Sequence, residues 1–172
     1  MRFRAAIGMM ALVAACLVLI GGGAAQAQAQ AQASTTCSWG GTPAEPTGTF
    51  AVSPGLTNTP APEPLKFSAT GALAGGSRCT GKMTFVGWVG AGSTCLLASF
   101  EGAVKGVPGV ARFSGAGSAS VQEFLYDKDG NLVGADQPTV APPPADDPLY
   151  MNCGSPQGET ELHFSAIVEL FG

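Results

Sequence analysis

The chain has 172 residues, with eight Lys/Arg against twelve Asp/Glu and one histidine, for a formal net charge of −4. That balance excludes a nucleic-acid partner, because phosphate binding rests on clustered Lys and Arg. With 25 Gly and 13 Pro the chain cannot sustain coiled coils or a helix bundle, and 45% hydrophobic residues are too many for a disordered tail.

The first residues read as a leader. Met1-Arg2-Phe3-Arg4 is a short basic start, and Ala5 to Ile20 is a 16-residue run without a charge. Gly21-Gly22-Gly23 then breaks any helix, and the Ala/Gln alternation from Ala24 to Ala33 offers A-x-A at several registers. These are the parts of a secretory signal peptide, cut after Ala33 or, in other registers, after Ala27, Ala29 or Ala31. Val13-Ala14-Ala15-Cys16 has the shape of a lipoprotein acylation box, but Leu17 to Ile20 carry the apolar run past the cysteine. Sixteen residues are also short for a hydrocarbon core ~30 Å thick. Residues 1–33 are therefore expected to be removed on export. They leave 34–172 as a single all-β domain of 139 residues, with six basic against twelve acidic side chains.

Residues 34–46 read as irregular. From Thr47 onward the hydrophobic period is two, which means strands. Thr47 to Val52 is a short strand ended by Ser53-Pro54-Gly55, and Pro60, Pro62 and Pro64 mark an extended loop. Leu65, Phe67, Ala69, Gly71 and Leu73 alternate with polar residues as a half-buried strand. Cys79 to Val89 follows, with Met83 and Phe85 on one face. Gly90-Ala91-Gly92 signals a hairpin into Cys95 to Lys105. Val110 to Gly115 and Ser120 to Tyr126 are shorter strands, and Asp127 to Asn131 turns the chain into Leu132-Val133. Ala135 to Glu159 reads as one long loop with six prolines. Glu161 to Phe171 closes the chain, with Leu162, Phe164, Ala166, Val168 and Leu170 on the inner face.

Eight strands joined by tight turns favour an antiparallel meander, closed as a barrel or, alternatively, packed as a two-sheet β-sandwich. Four cysteines remain beyond the leader, an even number suited to two disulfides in an oxidising compartment. In an up-and-down meander Cys37 and Cys79 fall at one end, while Cys95 and the loop carrying Cys153 fall at the other. The expected pairs are Cys37–Cys79 and Cys95–Cys153. A zinc site is disfavoured, since there is no C-x-x-C and His163 is the sole imidazole.

Few side chains carry chemistry. No G-x-S-x-G accompanies His163, so a Ser-His-Asp hydrolase lacks its parts. Glu101 and Glu123 read as outward-facing carboxylates on separate strands, solvated rather than a glycosidase pair. Asp127-Lys128-Asp129-Gly130-Asn131 has its glycine fourth, not sixth as a calcium loop requires, and reads as a turn. No cofactor is implied. Trp39 and Tyr150 stand near Cys37 and Cys153 in Pro/Gly-rich segments, and are the candidate binding residues, held by the disulfides. Asp146-Asp147 gives the long loop negative charge suited to a cationic or polar partner.

Cys37-Ser38-Trp39-Gly40-Gly41-Thr42-Pro43, Arg78 to Phe85 and Cys95 to Gly102 resemble a group of small exported all-β proteins of high-GC Gram-positive bacteria. The resemblance implies export and a common fold, with no assigned activity. The acidic, Ala/Gly/Thr-rich composition is also similar to that of the apoproteins that carry enediyne antibiotics. Their cysteines close short local loops, whereas Cys37 and Cys79 are 42 residues apart. The expectation is a secreted, monomeric, non-catalytic binding module for an unknown extracellular ligand or protein, with no membrane span in the mature chain. The alternative is a structural or surface-associated protein of the cell envelope, and a hydrolase ranks below both. An interior cavity above ~300 Å³ would suit a ligand carrier, and an interior filled by Phe and Leu would move binding to the loops.

Overall fold

Apolar residues at every second position give nine antiparallel strands in the computed structural model, which describes residues 34–117, 121–140 and 153–172. The expected leader, with Cys16, lies outside the described residues, as do Tyr150 and Asp146-Asp147. In chain order the strands are β1 (Thr35–Trp39), β2 (Gly48–Leu56), β3 (Leu65–Gly75), β4 (Lys82–Val89), β5 (Ala98–Lys105), β6 (Arg112–Gly117), β7 (Val121–Tyr126), β8 (Leu132–Val140) and β9 (Glu159–Leu170).

Strands β2 to β9 pair with their chain neighbours, and β2 pairs with β9, so the sheet closes into an eight-stranded barrel. Closure settles the architecture in favour of the barrel over the sandwich and removes exposed sheet edges. The ninth strand, β1, lies in line with β2, in the slot between β3 and β9. It bonds Cys37–Trp39 to Leu73–Gly75 and Thr35–Trp39 to Ala166–Leu170, whereas β2 covers the other ends of the same two strands. One stave of the barrel is thus two strands end to end.

Gly40 makes that junction possible. Its N–H donates to Ala72 C=O at 3.0 Å, and its own carbonyl accepts from the N–H groups of Thr47 and Gly48. Its φ is +74°, and a Cβ there would stand 2.8 Å from both Gly48 Cα and the Phe164 carbonyl oxygen. Only glycine fits.

Three segments differ from the sequence reading. Residues 35–39, read as irregular, are a strand because both of its neighbours offer free ladder positions. Ser53-Pro54-Gly55 does not end β2; the ladder to β9 shifts register between Ala51 and Leu56, and the strand continues through this bulge. The strand read as Leu132-Val133 runs to Val140 and includes Pro138. Phe171 N–H donates to Val133 C=O, so odd-numbered residues of β8 bond to β9 and even-numbered ones face β7. The β7 ladder stops at Glu123↔Asp136, leaving Pro138 just past it, where no donor is called for.

The cysteines join as Cys37–Cys79 and Cys95–Cys153, with Cα–Cα separations of 5.4 and 6.1 Å. They tie opposite ends of the barrel. At the lower end Met83, Leu125, Val168 and Leu170 are wholly buried, with Leu73 and Val104 around them. At the upper end the loops knit together: Ala61 exchanges hydrogen bonds with Gly92 and Ser93, Cys95 N–H donates to Thr57 C=O, and Asn58 N–H donates to Cys153 C=O. No helix among the described residues is long and apolar enough to cross a membrane.

Candidate functional site: an aromatic cavity ending on an acid pair

In the upper half of the barrel the inward rows of β1, β2, β3, β4, β5 and β9 supply rings. Phe50 and Phe67 stack at 5.4 Å, Phe100 stands edge-on to Phe67 at 5.4 Å, and Trp39 meets both Phe85 and Phe164 at 4.6 Å. Rings of this size in a small barrel cannot fill every gap where the opposite staves carry small residues. Gly117, Val121, Pro138 and Val140 are those residues on β6, β7 and β8, and a cavity of about 120 Å³ remains between the two sides. Leu56, Thr94 and Cys95 line it at the end held by the Cys95–Cys153 bond. The volume falls below that of a carrier for drug-sized molecules. It is close to that of an apolar cavity of ~150 Å³, which holds benzene.

Among the described residues around this cavity one is ionisable, Glu123 of β7. The sequence reading placed it outward with Glu101. The structure corrects this: Glu123 is 5% exposed and points inward, whereas Glu101 is exposed on the outer wall. The two carboxylates lie on opposite sides of the barrel wall and cannot flank one groove. Two local features put Glu123 inside. Gly115 is its cross-strand neighbour on β6, and a Cβ there would come within 2.5 Å of Glu123 Cγ. The missing side chain is the room that Glu123 occupies.

On the other side Glu123 faces Asp136 of β8, which is 2% exposed. Neither carboxylate oxygen of Asp136 has a hydrogen-bond donor among the described residues. The remaining cross-strand neighbour of Asp136 is Val168, which has nothing to donate. The hydrogen bond left to the pair is a proton held between two carboxyl groups. Burial pushes Glu123 up to about 7, opposed by its bond to Asp136. Burial, and then the charge of Glu123, hold Asp136 well above the usual carboxylate range.

Asp136 was missed because a single residue changes which face it occupies. The β7–β8 ladder starts at Tyr126↔Leu132 and resumes at Leu125↔Gly134, so β8 carries one extra residue at Val133. Without this bulge Glu123 would oppose Ala135, and Asp136 would point to solvent. Alternation of Gly134, Asp136, Pro138 and Val140 is a signal in the sequence, but the prolines obscure it.

The remaining candidates fall elsewhere. Trp39 is not on a loop surface: it is 1% exposed on β1, its Nε1 donates to Met83 C=O at 3.1 Å, and its ring forms part of the cavity wall. His163 faces out on β9, with Nδ1 3.4 Å from the Gly48 carbonyl oxygen, and takes no part in the cavity. Asp127 holds its turn: Oδ1 accepts from the N–H groups of Asp129 and Asn131, and Oδ2 from the Asn131 amide. The bonds from Asn131 lower its carboxyl below the usual range. No group of three or more His, Cys, Asp or Glu among the described residues could hold a metal.

A second concavity lies on the outer wall, where Trp88, Glu101, Ser114, Arg112 and Tyr126 surround a groove of about 510 Å³. The ladders place Trp88 beside Glu101, Glu101 beside Ser114, and Arg112 beside Tyr126. No protein-family model matches the chain, and no curated protein or solved structure matches it.

Proposed function

We propose that the protein is an exported, non-catalytic binding module that takes a small apolar ligand, or the small apolar end of a larger one, into the upper half of its barrel. The observation that carries this reading is the aromatic cavity ending on Glu123, a buried carboxyl group whose partner among the described residues is a second acid, Asp136. Ligand sites combine apolar walls with a few placed polar groups, and this cavity has that composition in miniature. The leader-like residues 1–33 and the two disulfides support export. Binding is favoured over catalysis because, among the described residues, the remaining polar side chain on the wall is Thr94, and Cys95 is held in a disulfide. One acid with apolar walls can move a proton but cannot also orient a reacting bond.

The test is direct. Toluene titrated into the folded protein should shift the ring resonances of Phe67, Phe100 and Trp39 in a saturable way, and leave the methyls of Val168 and Leu170 unmoved. Rings that stay fixed up to the solubility limit of toluene refute a ligand site inside the barrel.

The second reading, attachment to the cell-envelope surface, draws on the outer groove. Trp88 is 45% exposed beside a carboxylate, a hydroxyl and a guanidinium, a set that suits the faces and hydroxyls of a neutral glycan. Co-sedimentation with insoluble cell-wall polysaccharide, lost in Trp88→Ala, would support it.

A further inference from the structure

We propose that the ligand of the upper cavity is a small organic ammonium ion: an amine on an apolar body of about six to eight non-hydrogen atoms, with its nitrogen against Glu123. This inference rests on the cavity being a ligand site and adds the ligand's charge. Two independent features of the wall point the same way. One is the acid pair. Among the described residues the hydrogen bond of the pair is the proton that Glu123 shares with Asp136, and no other group donates to Asp136. A neutral apolar guest would leave both groups as they are, whereas an N⁺–H group would satisfy Glu123 through a charge-assisted bond.

The other feature is the ring set. Trp39, Phe50, Phe67, Phe85, Phe100 and Phe164 surround the same space. Aromatic faces carry negative charge density, and several of them around one space stabilise a desolvated cation that would be expensive to bury among aliphatic side chains. An anion meets the reverse on both counts, facing a carboxylate and the negative faces of rings.

The groups facing Glu123 are few enough to state the pH dependence. On β6 its neighbour is Gly115, on β8 it is Asp136, and no Lys, Arg or His is found among the described residues lining the cavity. An ammonium ion therefore binds the ionised pair and competes with the proton for it. Affinity rises as the pH increases through neutrality and falls as the pair is fully protonated.

The experiment compares three probes of one shape by calorimetry on the folded exported protein: benzylammonium, benzyl alcohol and benzoate. At pH 7.5 benzylammonium should bind roughly tenfold or more tightly than benzyl alcohol, and benzoate should not bind. The preference should collapse at pH 5, although benzylammonium stays charged there, and in Glu123→Gln at either pH. Equal binding of the alcohol and the ammonium overturns the charge assignment while leaving the cavity as a ligand site. Binding of none of the three, with toluene also failing to bind, overturns both. Should Glu123→Gln not fold, the pH series on the unaltered protein applies the same test.

Discussion

The two halves of the barrel use the same strands and differ in what lies between them. Below, Met83, Leu125, Val168 and Leu170 leave no exposed surface. Above, six rings stand around a void, and the Glu123–Asp136 pair is buried with no cation beside it among the described residues. An empty space forfeits contacts and a buried acid pair is electrostatically unfavourable, so the upper half is the less stable arrangement of the two. A small barrel can hold such a region because the lower half and the two covalent ties supply the stability that it gives up. The contrast has measurable consequences.

The largest effect is expected from the disulfides. They join residues 42 and 58 apart, and the chain-entropy relation gives about 4 kcal/mol for loops of either length. Cys37→Ser/Cys79→Ser and Cys95→Ser/Cys153→Ser should therefore destabilise to a similar extent in urea unfolding. Only the second pair should alter ligand binding, because Cys95 forms part of the cavity wall. A first pair that weakens toluene or amine binding as much as the second would break the division into halves.

Truncation inside the barrel sharpens it. Leu125→Ala removes a side chain with no exposure from the packed end, and should cost about 2–5 kcal/mol. Phe100→Ala removes a larger side chain, but one that already borders a void and is only partly buried. It should cost less than Leu125→Ala by the same urea measurement. The reverse order would mean that the rings above, not the aliphatic layer below, hold the barrel together.

The acid pair gives the upper half a pH signature. Burial raises Glu123 from its ordinary 4.5 to about 7, so its contribution to stability is fully present below pH 4.5 and is lost as pH rises through 7. The shift corresponds to about 3 kcal/mol, and Asp136 acts in the same direction. Asp127, whose carboxyl is lowered, loses its contribution only below its ordinary 3.8, outside this window. The melting temperature should thus be higher at pH 4.5 than at pH 7.5, the opposite of common acid denaturation. Glu123→Gln/Asp136→Asn should flatten the difference. A protein that melts lower at pH 4.5 would show that the pair does not behave as a buried acid pair.

Strands β3 and β9, which run the length of the barrel, were the most legible in the sequence. The alternation of Leu65 to Leu73 on β3, and of Leu162 to Leu170 on β9, reads directly as inner and outer faces, and the meander follows from short turns between such runs. Other segments were obscured by prolines and bulges. Pro138 hid the continuation of β8, Ser53-Pro54-Gly55 resembled a stop, and one extra residue at Val133 turned Asp136 from the solvent face to the interior. Periodicity assigns faces only while the register is unbroken, and a bulge is invisible until its partner strand is known. The bulge at Val133 that defeats the reading is the same one that sets Asp136 opposite Glu123.

The smallest expected effect lies on the outer wall. Trp88 is 45% exposed, with Lys66 Nζ 5.7 Å from its ring centroid, so Trp88→Ala loses a surface cation–π contact and should shift stability by less than about 1 kcal/mol. The substitution is useful for that reason. The chain has two tryptophans, and removing Trp88 leaves Trp39, the one in the cavity wall, as the sole indole emitter. Its fluorescence should then respond to benzylammonium with the same midpoint as calorimetry, since the cation would sit against a ring that contacts Phe85 and Phe164. A full calorimetric signal with silent Trp39 emission would place the bound amine outside the barrel, at a site the lower and upper halves do not distinguish.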